Sequence, residues 1–163
     1  CEQEDISPPI SWGDVPDGTV SLALVMDSDQ AAGSPWTHWV IRGLPPAARG
    51  LAEAVPNTPA VPSIGPRAAQ GTNSHDKIGW SGPCKEKLRF QQGSKKGQSL
   101  SRDRITSDYF FRLYALDTAI TLGSDATKAD LLRAIEGHIL AGGELLGQQT
   151  GVTCKRAVYG PKC

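Results

Sequence analysis

The sequence lacks any apolar run long enough to cross a membrane as a helix, which takes about 20 residues. It also lacks an excess of charge, because 17 lysine and arginine residues balance 17 aspartate and glutamate residues. No global field therefore attracts the chain to nucleic acid or to an anionic membrane. We expect a soluble protein with no membrane span and no nucleic-acid partner, which recognises its ligand through local groups.

Cysteine is scarce as well, with four in the chain, too few for a fold built on disulfides. No pair has the C-x-x-C spacing of a zinc site, and we expect neither a metal nor a cofactor. Cys154 and Cys163 enclose a glycine and a proline, so a local disulfide is expected there in an oxidising compartment. We take the cytoplasm as the expected location, with the periplasm and secretion as alternatives.

Proline and glycine, 12 and 18 in the chain, are dense in its first two thirds and leave segments too short for helices. The run TVSLALVMDSD predicts a strand whose apolar face consists of Val20, Leu22, Leu24 and Met26. Asp27 and Asp29 fall on its other face, at the end of the strand. The run WTHWVIRGLP predicts a strand with Trp36, His38 and Val40 on one side. The run YFFRLYALD predicts a central strand that is apolar on both sides.

A helix is indicated only late in the chain. Thr127 and Asp130 have the spacing of a capping box. Residues of a predicted buried face then recur with a helical period, at Leu131, Leu132, Ile135, His138 and Ile139. We predict one amphipathic helix that ends near the AGG run at residues 141–143.

The length of the chain is typical of one domain, which we assign to residues 1–149. Within this domain, residues 85–108 are polar, basic and aperiodic, and we interpret them as an inserted surface loop. Residues 150–163 follow the last periodic segment, and we interpret them as a C-terminal appendage.

Asp27, Asp29 and His38 are candidates for a binding site, and each has an ordinary structural alternative. Aspartates at a strand end are also typical of a solvated turn, and a strand histidine is often a core residue bonded to a carbonyl. A calcium loop is excluded because the oxygen ligands and the glycine that it needs do not follow. The run GWSGP resembles a nucleophile elbow but has Pro83 in place of the second glycine, so we predict no enzymatic activity.

A set of ordered motifs carries a family resemblance. Along the chain they are SPPISW, DSD, WTHWVI, GTNSHDKIGWSGPC, YFFRLYALD and TKADLLRAIEGHILAGGELLG. In this order and spacing the chain resembles the phosphatidylethanolamine-binding proteins, specifically the bacterial branch called Raf-kinase-inhibitor-like. The resemblance runs from Cys1 to about Gly147 and is interrupted by the basic insert.

The resemblance implies a mainly β fold, a Greek-key β-sandwich with a short C-terminal helix region. It also implies a small surface pocket for phosphate or for ligands like phosphorylethanolamine. By position, the ligand-binding residues are Asp27, Asp29, Trp36, His38, Gly82, Pro83 and Tyr109. In such a pocket an imidazolium and backbone N–H groups hold a charged oxygen, while the carboxylates orient His38 or accept an ammonium group.

The chain departs from the family pattern at several places. Ser107 stands where relatives have a second pocket histidine, and a serine carries no charge with which to hold an anion. Relatives have GPCPP where this chain has GPCKE. Relatives also have a strand region before the residue that matches Cys1, and they end soon after ELLG. The domain is therefore expected to be truncated at its start and extended by the tail.

The expected function is a phosphatidylethanolamine-binding-protein-like module with a small anion pocket. Regulation of a protein kinase or a protease through the rim of the pocket is implied by the resemblance alone. The alternative is a protein-interaction module with a vestigial pocket, in which the basic insert makes the contacts.

Overall fold

The structure is a computed structural model that describes residues 5–28, 35–82 and 104–152. Several sequence predictions fall outside these ranges. They concern two candidate site residues and all the cysteines, namely Asp29, Pro83, Cys1, Cys84, Cys154 and Cys163. Most of the predicted insert and most of the predicted tail also lie outside. The disulfide and the roles of these segments stay predictions.

Seven strands and one helix form in the described ranges. In chain order they are β1 (Ile10–Ser11), β2 (Ser21–Ser28), β3 (Trp36–Leu44), β4 (Gly50–Leu51), β5 (Ala69–Gln70), β6 (Arg104–Leu116), α1 (Lys128–Ile135) and β7 (Ile139–Val152). Five strands make an antiparallel sheet in the order β5-β3-β2-β6-β7, and β1 pairs with β4 in a two-stranded ribbon. The prediction of a mainly β fold is confirmed.

The large sheet has an apolar layer on each face, since its central strand β2 is buried along its whole length. On the ribbon face, Leu22, Leu24 and Met26 pack against side chains from β1, β4 and the loops near them. On the opposite face, the helix face, Ala23 and Val25 pack against α1. The predicted alternation along β2 is confirmed for these residues, and it fixes the face on which each later residue of β2 lies.

A β-bulge in β3 determines the position of His38. Met26 of β2 pairs with Trp39, but the next residue, Asp27, pairs with Thr37. His38 is therefore an extra residue between two successive pairs of the ladder. Bulges bend the strand and redirect a side chain, and they are frequent next to functional sites.

The bulge also changes which residues of β3 share a face. Val40 packs on the helix face, whereas Trp39 and Ile41 belong to the cluster on the ribbon face. The prediction that Trp36, His38 and Val40 lie on one side of the strand is wrong for Val40. The prediction assumed that side chains alternate strictly along β3, and this alternation does not continue through a bulge.

The helix α1 is shorter than predicted. It begins with the predicted capping box, in which Thr127 and Asp130 each accept a hydrogen bond from the other's backbone N–H. It ends at Ile135 rather than near the AGG run, and Gly137 has a φ of 79°, a left-handed conformation that glycine adopts at helix ends. The residues after it form β7, whose backbone pairs along the whole of β6.

Strands β6 and β7 extend beyond the apolar pattern. Residues 104–108, predicted as part of the inserted loop, form the start of β6. Residues 150–152, predicted as part of the tail, form the end of β7 and pair with the start of β6. The two strands therefore extend into both segments, because backbone hydrogen bonds between antiparallel strands continue where the side chains no longer alternate between apolar and polar.

Candidate functional site

His38 is a buried histidine whose two ring nitrogens are both hydrogen-bonded. Its Nδ1 lies 2.7 Å from the backbone oxygen of Ser81, and its Nε2 lies 2.9 Å from the Oγ of Ser28. A carbonyl oxygen only accepts, so Nδ1 carries a proton and donates it to Ser81. Burial lowers the pKa of His38, and the hydrogen bond to Ser81 opposes this effect. The neutral ring therefore accepts a hydrogen bond from the Ser28 hydroxyl.

Tyr109 is the aromatic residue beside His38. It pairs with Ser28 between β6 and β2, and its ring meets the His38 ring edge to face at a centroid distance of 5.3 Å. Burial raises the pKa of the Tyr109 hydroxyl, whereas a hydrogen bond with the side chain of Ser107 lowers it. Ser107 is two residues earlier in β6, so it lies on the same side of the sheet as Tyr109.

A second histidine, His75, lies next to these residues. Its ring centroid is 6.2 Å from that of His38 and 5.1 Å from that of Trp36. The indole Nε1 of Trp36 donates a hydrogen bond of 3.1 Å to the Nε2 of His75. This hydrogen bond is exposed, so a solute can reach it without opening the core.

The turn that carries His75 is held in place by Asn73. The Asn73 side chain accepts a hydrogen bond from the backbone N–H of His75 and donates one to a backbone oxygen of the same turn. The turn is also attached to β3: the backbone N–H of Thr37 donates to Ser74 Oγ, and the backbone N–H of Ser74 donates to the Thr37 oxygen. His75 is thereby fixed next to the strand that contains the bulge.

Gly82 follows Ser81, whose backbone oxygen accepts the hydrogen bond from His38. Its N–H donates a 2.6 Å hydrogen bond to Asp5 Oδ1. A Cβ atom at this position would meet Asp5 Oδ1 at 2.9 Å and the indole nitrogen of Trp80 at 3.0 Å, so a larger residue would have to displace the Asp5 side chain. Burial lowers the pKa of His38, and the negative charge of Asp5 acts in the opposite direction.

Asp27 is directed to the helix face of the sheet. Its carboxylate is 1% exposed and accepts hydrogen bonds from three side chains, namely Thr37, Arg112 and Lys128, at 2.9, 3.1 and 2.6 Å. The family resemblance implied that the aspartates orient His38 or accept an ammonium group. Ser28 and Ser81 orient the ring instead, because Asp27 lies on the opposite side of β2 from Ser28.

The structure brings part of the predicted site together. Trp36, His38 and Tyr109 lie side by side, and Gly82 adjoins the residue that accepts from His38. The carboxylate of Asp27 is used on the helix face, so a direct role in binding stays a prediction. Asp29 and Pro83 lie outside the described residues.

Four polar residues of the site were not selected from the sequence, namely Asp5, Ser28, His75 and Ser81. Ser28 could have been found, because it is the next residue of β2 and must lie opposite Asp27. His75 stood inside the motif GTNSHDKIGWSGPC, but only the folded turn shows that it approaches His38. The contacts of Asp5 and Ser81 join segments far apart in sequence, so no local pattern indicated them.

The polar groups at this site can donate hydrogen bonds to an anionic oxygen. They comprise a hydroxyl, an indole N–H and two imidazoles that can take up protons. No group of three or more metal-ligating side chains occurs in the part of the chain that the structure describes. Within the same ranges, no helix has the length and apolar character that crossing a membrane requires.

Comparisons with known proteins give relatives in sequence and in structure. The sequence model described as phosphatidylethanolamine-binding protein matches residues 1–89. A UPF0098 protein of Methanothermobacter thermautotrophicus is 41% identical over 90% of this chain and 84% of its own length. The UPF0098 protein of Aquifex aeolicus is 34% identical, over 90% of this chain and 75% of its own length.

Two crystal structures are similar to this chain over 91% of its length. One is CT736 from Chlamydia trachomatis, described as a phosphatidylethanolamine-binding protein homolog. It has a TM-score of 0.68 and 30% identity and covers 91% of this chain and 84% of its own. The other is YbcL of E. coli, described as a new member of the mammalian family of the same name. It has a TM-score of 0.70 and 25% identity and covers 91% of this chain and 82% of its own.

Proposed function

Because the chain belongs to the phosphatidylethanolamine-binding protein family, we propose that it is a binding module that takes a phosphate-like oxyanion beside His38. The observation that carries this proposal is the histidine at the bulge. Its Nδ1 donates a hydrogen bond to the Ser81 carbonyl, and its Nε2 faces the Ser28 hydroxyl, which can rotate. A polar, proton-accepting group is thus held in a fixed position next to Tyr109.

An oxyanion would change the protonation of this site. Without a ligand, burial lowers the pKa of His38 and favours the neutral ring. A negative charge nearby favours the imidazolium, which donates from Nε2 and frees the Ser28 hydroxyl to donate as well. Charge-assisted hydrogen bonds contribute about 1.5 to 3 kcal/mol each, before the cost of association. We therefore expect weak binding of a free anion, with a dissociation constant of roughly micromolar to millimolar.

The proposal includes no enzymatic activity. Ser28 and His38 have the separation of a serine and its general base, 2.9 Å. However, Ser28 is 5% exposed, and the third group is a carbonyl, which has no negative charge to stabilise an imidazolium during catalysis. A fluorophosphonate probe, which labels activated serines, should leave the protein unmodified.

Regulation of a protein kinase or a protease through the rim of the site is the further part of the proposal. It is supported by the family resemblance alone, and a fold does not determine a partner. If such a partner binds over His38, saturating phosphorylethanolamine should compete with it.

The test of the proposed function is a phosphate titration followed by NMR of the histidine rings. The chain has three histidines, and His138 is a control because it bonds Asp117 near the other end of β2, about 20 Å away. We expect the His38 resonances to shift and saturate while those of His138 stay constant. His38→Ala should abolish binding in a folded protein. If the His38 resonances do not move, the pocket is vestigial and the interaction-module alternative is favoured.

A further inference from the structure

His75 and Trp36 form a hydrogen-bonded pair at the edge of the site described above. The pair is exposed, although its two residues are held by the backbone of β3 and by the turn around Asn73. The imidazole centroid of His75 lies 6.2 Å from that of His38. No role is assigned to His75 by the proposed function, which needs only His38 and its neighbours.

We propose that Trp36 and His75 are a second pair of donors for the oxyanion, and that the anion binds by replacing the hydrogen bond between them. The inference rests on the proposed function, because it concerns the same site. It adds a residue, His75, and a specific event, the separation of the indole from the imidazole when an anion and a proton bind together.

The donor and acceptor atoms of the Trp36–His75 pair determine how the pair responds to a proton. The indole Nε1 of Trp36 only donates, so the His75 Nε2 that faces it must accept and carries no proton. If His75 gains a proton at Nε2, two donors face each other at 3.1 Å and their hydrogen bond is lost. An anionic oxygen that enters between them accepts from both. Proton uptake by His75 therefore favours anion binding, and anion binding favours proton uptake.

The charged groups around His38 act on its pKa in both directions. Burial lowers the pKa of His38, and the charge of a protonated His75 lowers it further, whereas Asp27 and Asp5 raise it. Tyr109 faces the ring without charge. In the absence of a ligand, repulsion between the two imidazoles therefore disfavours a proton on His38 when His75 is charged. An anion between them removes this repulsion, so the affinity for an anion should increase as the pH falls through the range in which histidine titrates, about pH 5 to 8.

The pH dependence is best measured with sulfate, whose own charge does not change in this range. Titrations at pH 6 and pH 8, followed by the His38 ring resonances and by tryptophan fluorescence, compare the wild type with His75→Gln. Glutamine keeps an acceptor for the Trp36 indole but cannot become charged. His138→Gln is the matched control, because it removes a histidine far from the site.

We expect His75→Gln to weaken sulfate binding about tenfold at pH 6, since a charge-assisted hydrogen bond is roughly twice as strong as a neutral one. At pH 8 the variant and the wild type should agree within about twofold. Trp36→Phe should weaken binding at both pH values, because it removes the indole donor. Amide spectra of each variant confirm the fold, and His75 is exposed, so its replacement should be tolerated.

Two results overturn the inference, and they separate it from the proposed function. If His75→Gln binds sulfate as the wild type does at both pH values, while His38→Ala does not bind, His75 is only a surface contact and the proposed function stands. If the wild type binds no sulfate, phosphate or phosphorylethanolamine, both fail. Tighter binding of phosphorylethanolamine than of inorganic phosphate by the wild type would indicate a lipid head group as the source of the oxyanion, and equal binding would indicate a free anion.

Discussion

At the scale of single residues, the site depends on how buried polar side chains are paired. His38 uses one ring nitrogen on a backbone carbonyl and the other on Ser28. Asp27 neutralises two cations on the opposite face of the same strand. Neighbouring positions of β2 thus have different tasks: Ser28 contributes to the site, and Asp27 joins the sheet to α1 through Lys128.

The pH dependence of stability should report the burial of His38. The unfolded chain takes up a proton on this residue near pH 6.5, and the folded chain does so only at lower pH, because burial lowers the pKa. The contribution to the free energy of unfolding is therefore complete above about pH 6.5 and decreases as the pH falls from there through the folded pKa.

Urea unfolding in chloride buffers at pH 7.5 and pH 5.5, without phosphate or sulfate, measures this effect. Between the two pH values, the wild type should lose more stability than His38→Gln. The carboxylates contribute equally to the loss in both proteins, so the difference reports His38. An identical loss in both proteins would mean that His38 is not held neutral by the fold.

Replacing Asp27 should destabilise the protein more than replacing an exposed partner of the same arginine. Asp27→Asn leaves Arg112 and Lys128 without a buried counter-charge, and we expect a loss of about 2 to 4 kcal/mol, below the full value for a buried pair because both cations are partly exposed. Glu144→Gln is the control, because the Glu144 carboxylate bonds Arg112 but is half exposed. It should cost less than about 1 kcal/mol by denaturant unfolding. Equal losses would contradict this role of Asp27.

At the scale of secondary-structure elements, the bulge in β3 and the turn after β5 create the site together. The bulge turns His38 toward Ser28, and the turn places His75 beside Trp36. Gly71 lies between β5 and this turn, with its N–H bonded to the Val40 oxygen. A Cβ atom on Gly71 would overlap the backbone oxygen of Ala126, so only glycine fits at this position without a shift of the backbone.

The close contact at Gly71 predicts that a larger residue at this position destabilises the protein. Gly71→Ala should lower the free energy of unfolding by about 1 to 3 kcal/mol, as over-packing does in dense interiors. It should also displace the turn, which the His75 ring resonances would show. Gly13→Ala is the matched control, because a Cβ atom there meets nothing within 4 Å. If both variants unfold at the same urea concentration, the contact with Ala126 does not constrain the fold.

At the scale of the whole molecule, the order of layers could be predicted from the sequence better than the site. The alternation along β2 predicted which of its residues lie on each face of the sheet, and the spacing of Thr127 and Asp130 predicted where the helix begins. The family resemblance supplied the sandwich fold, which the similar crystal structures confirm.

The remaining features depend on interactions between distant segments. The helix was predicted too long because pairing with β6 outweighs the helical period of the residues after Gly137. The bulge follows from how β3 pairs with β2, which no local pattern shows. His75 approaches His38 only through the hydrogen bonds of its turn, and its position could not be inferred from spacing.

Binding of an oxyanion beside His38 can be tested by a crystal structure of the protein soaked with phosphorylethanolamine. We expect density for the phosphate group within hydrogen-bonding distance, about 3.2 Å or less, of a ring nitrogen of His38 or of the Ser28 hydroxyl. Density for the ligand only elsewhere, or none at saturating concentration with the Ser28–His38 hydrogen bond intact, would contradict it.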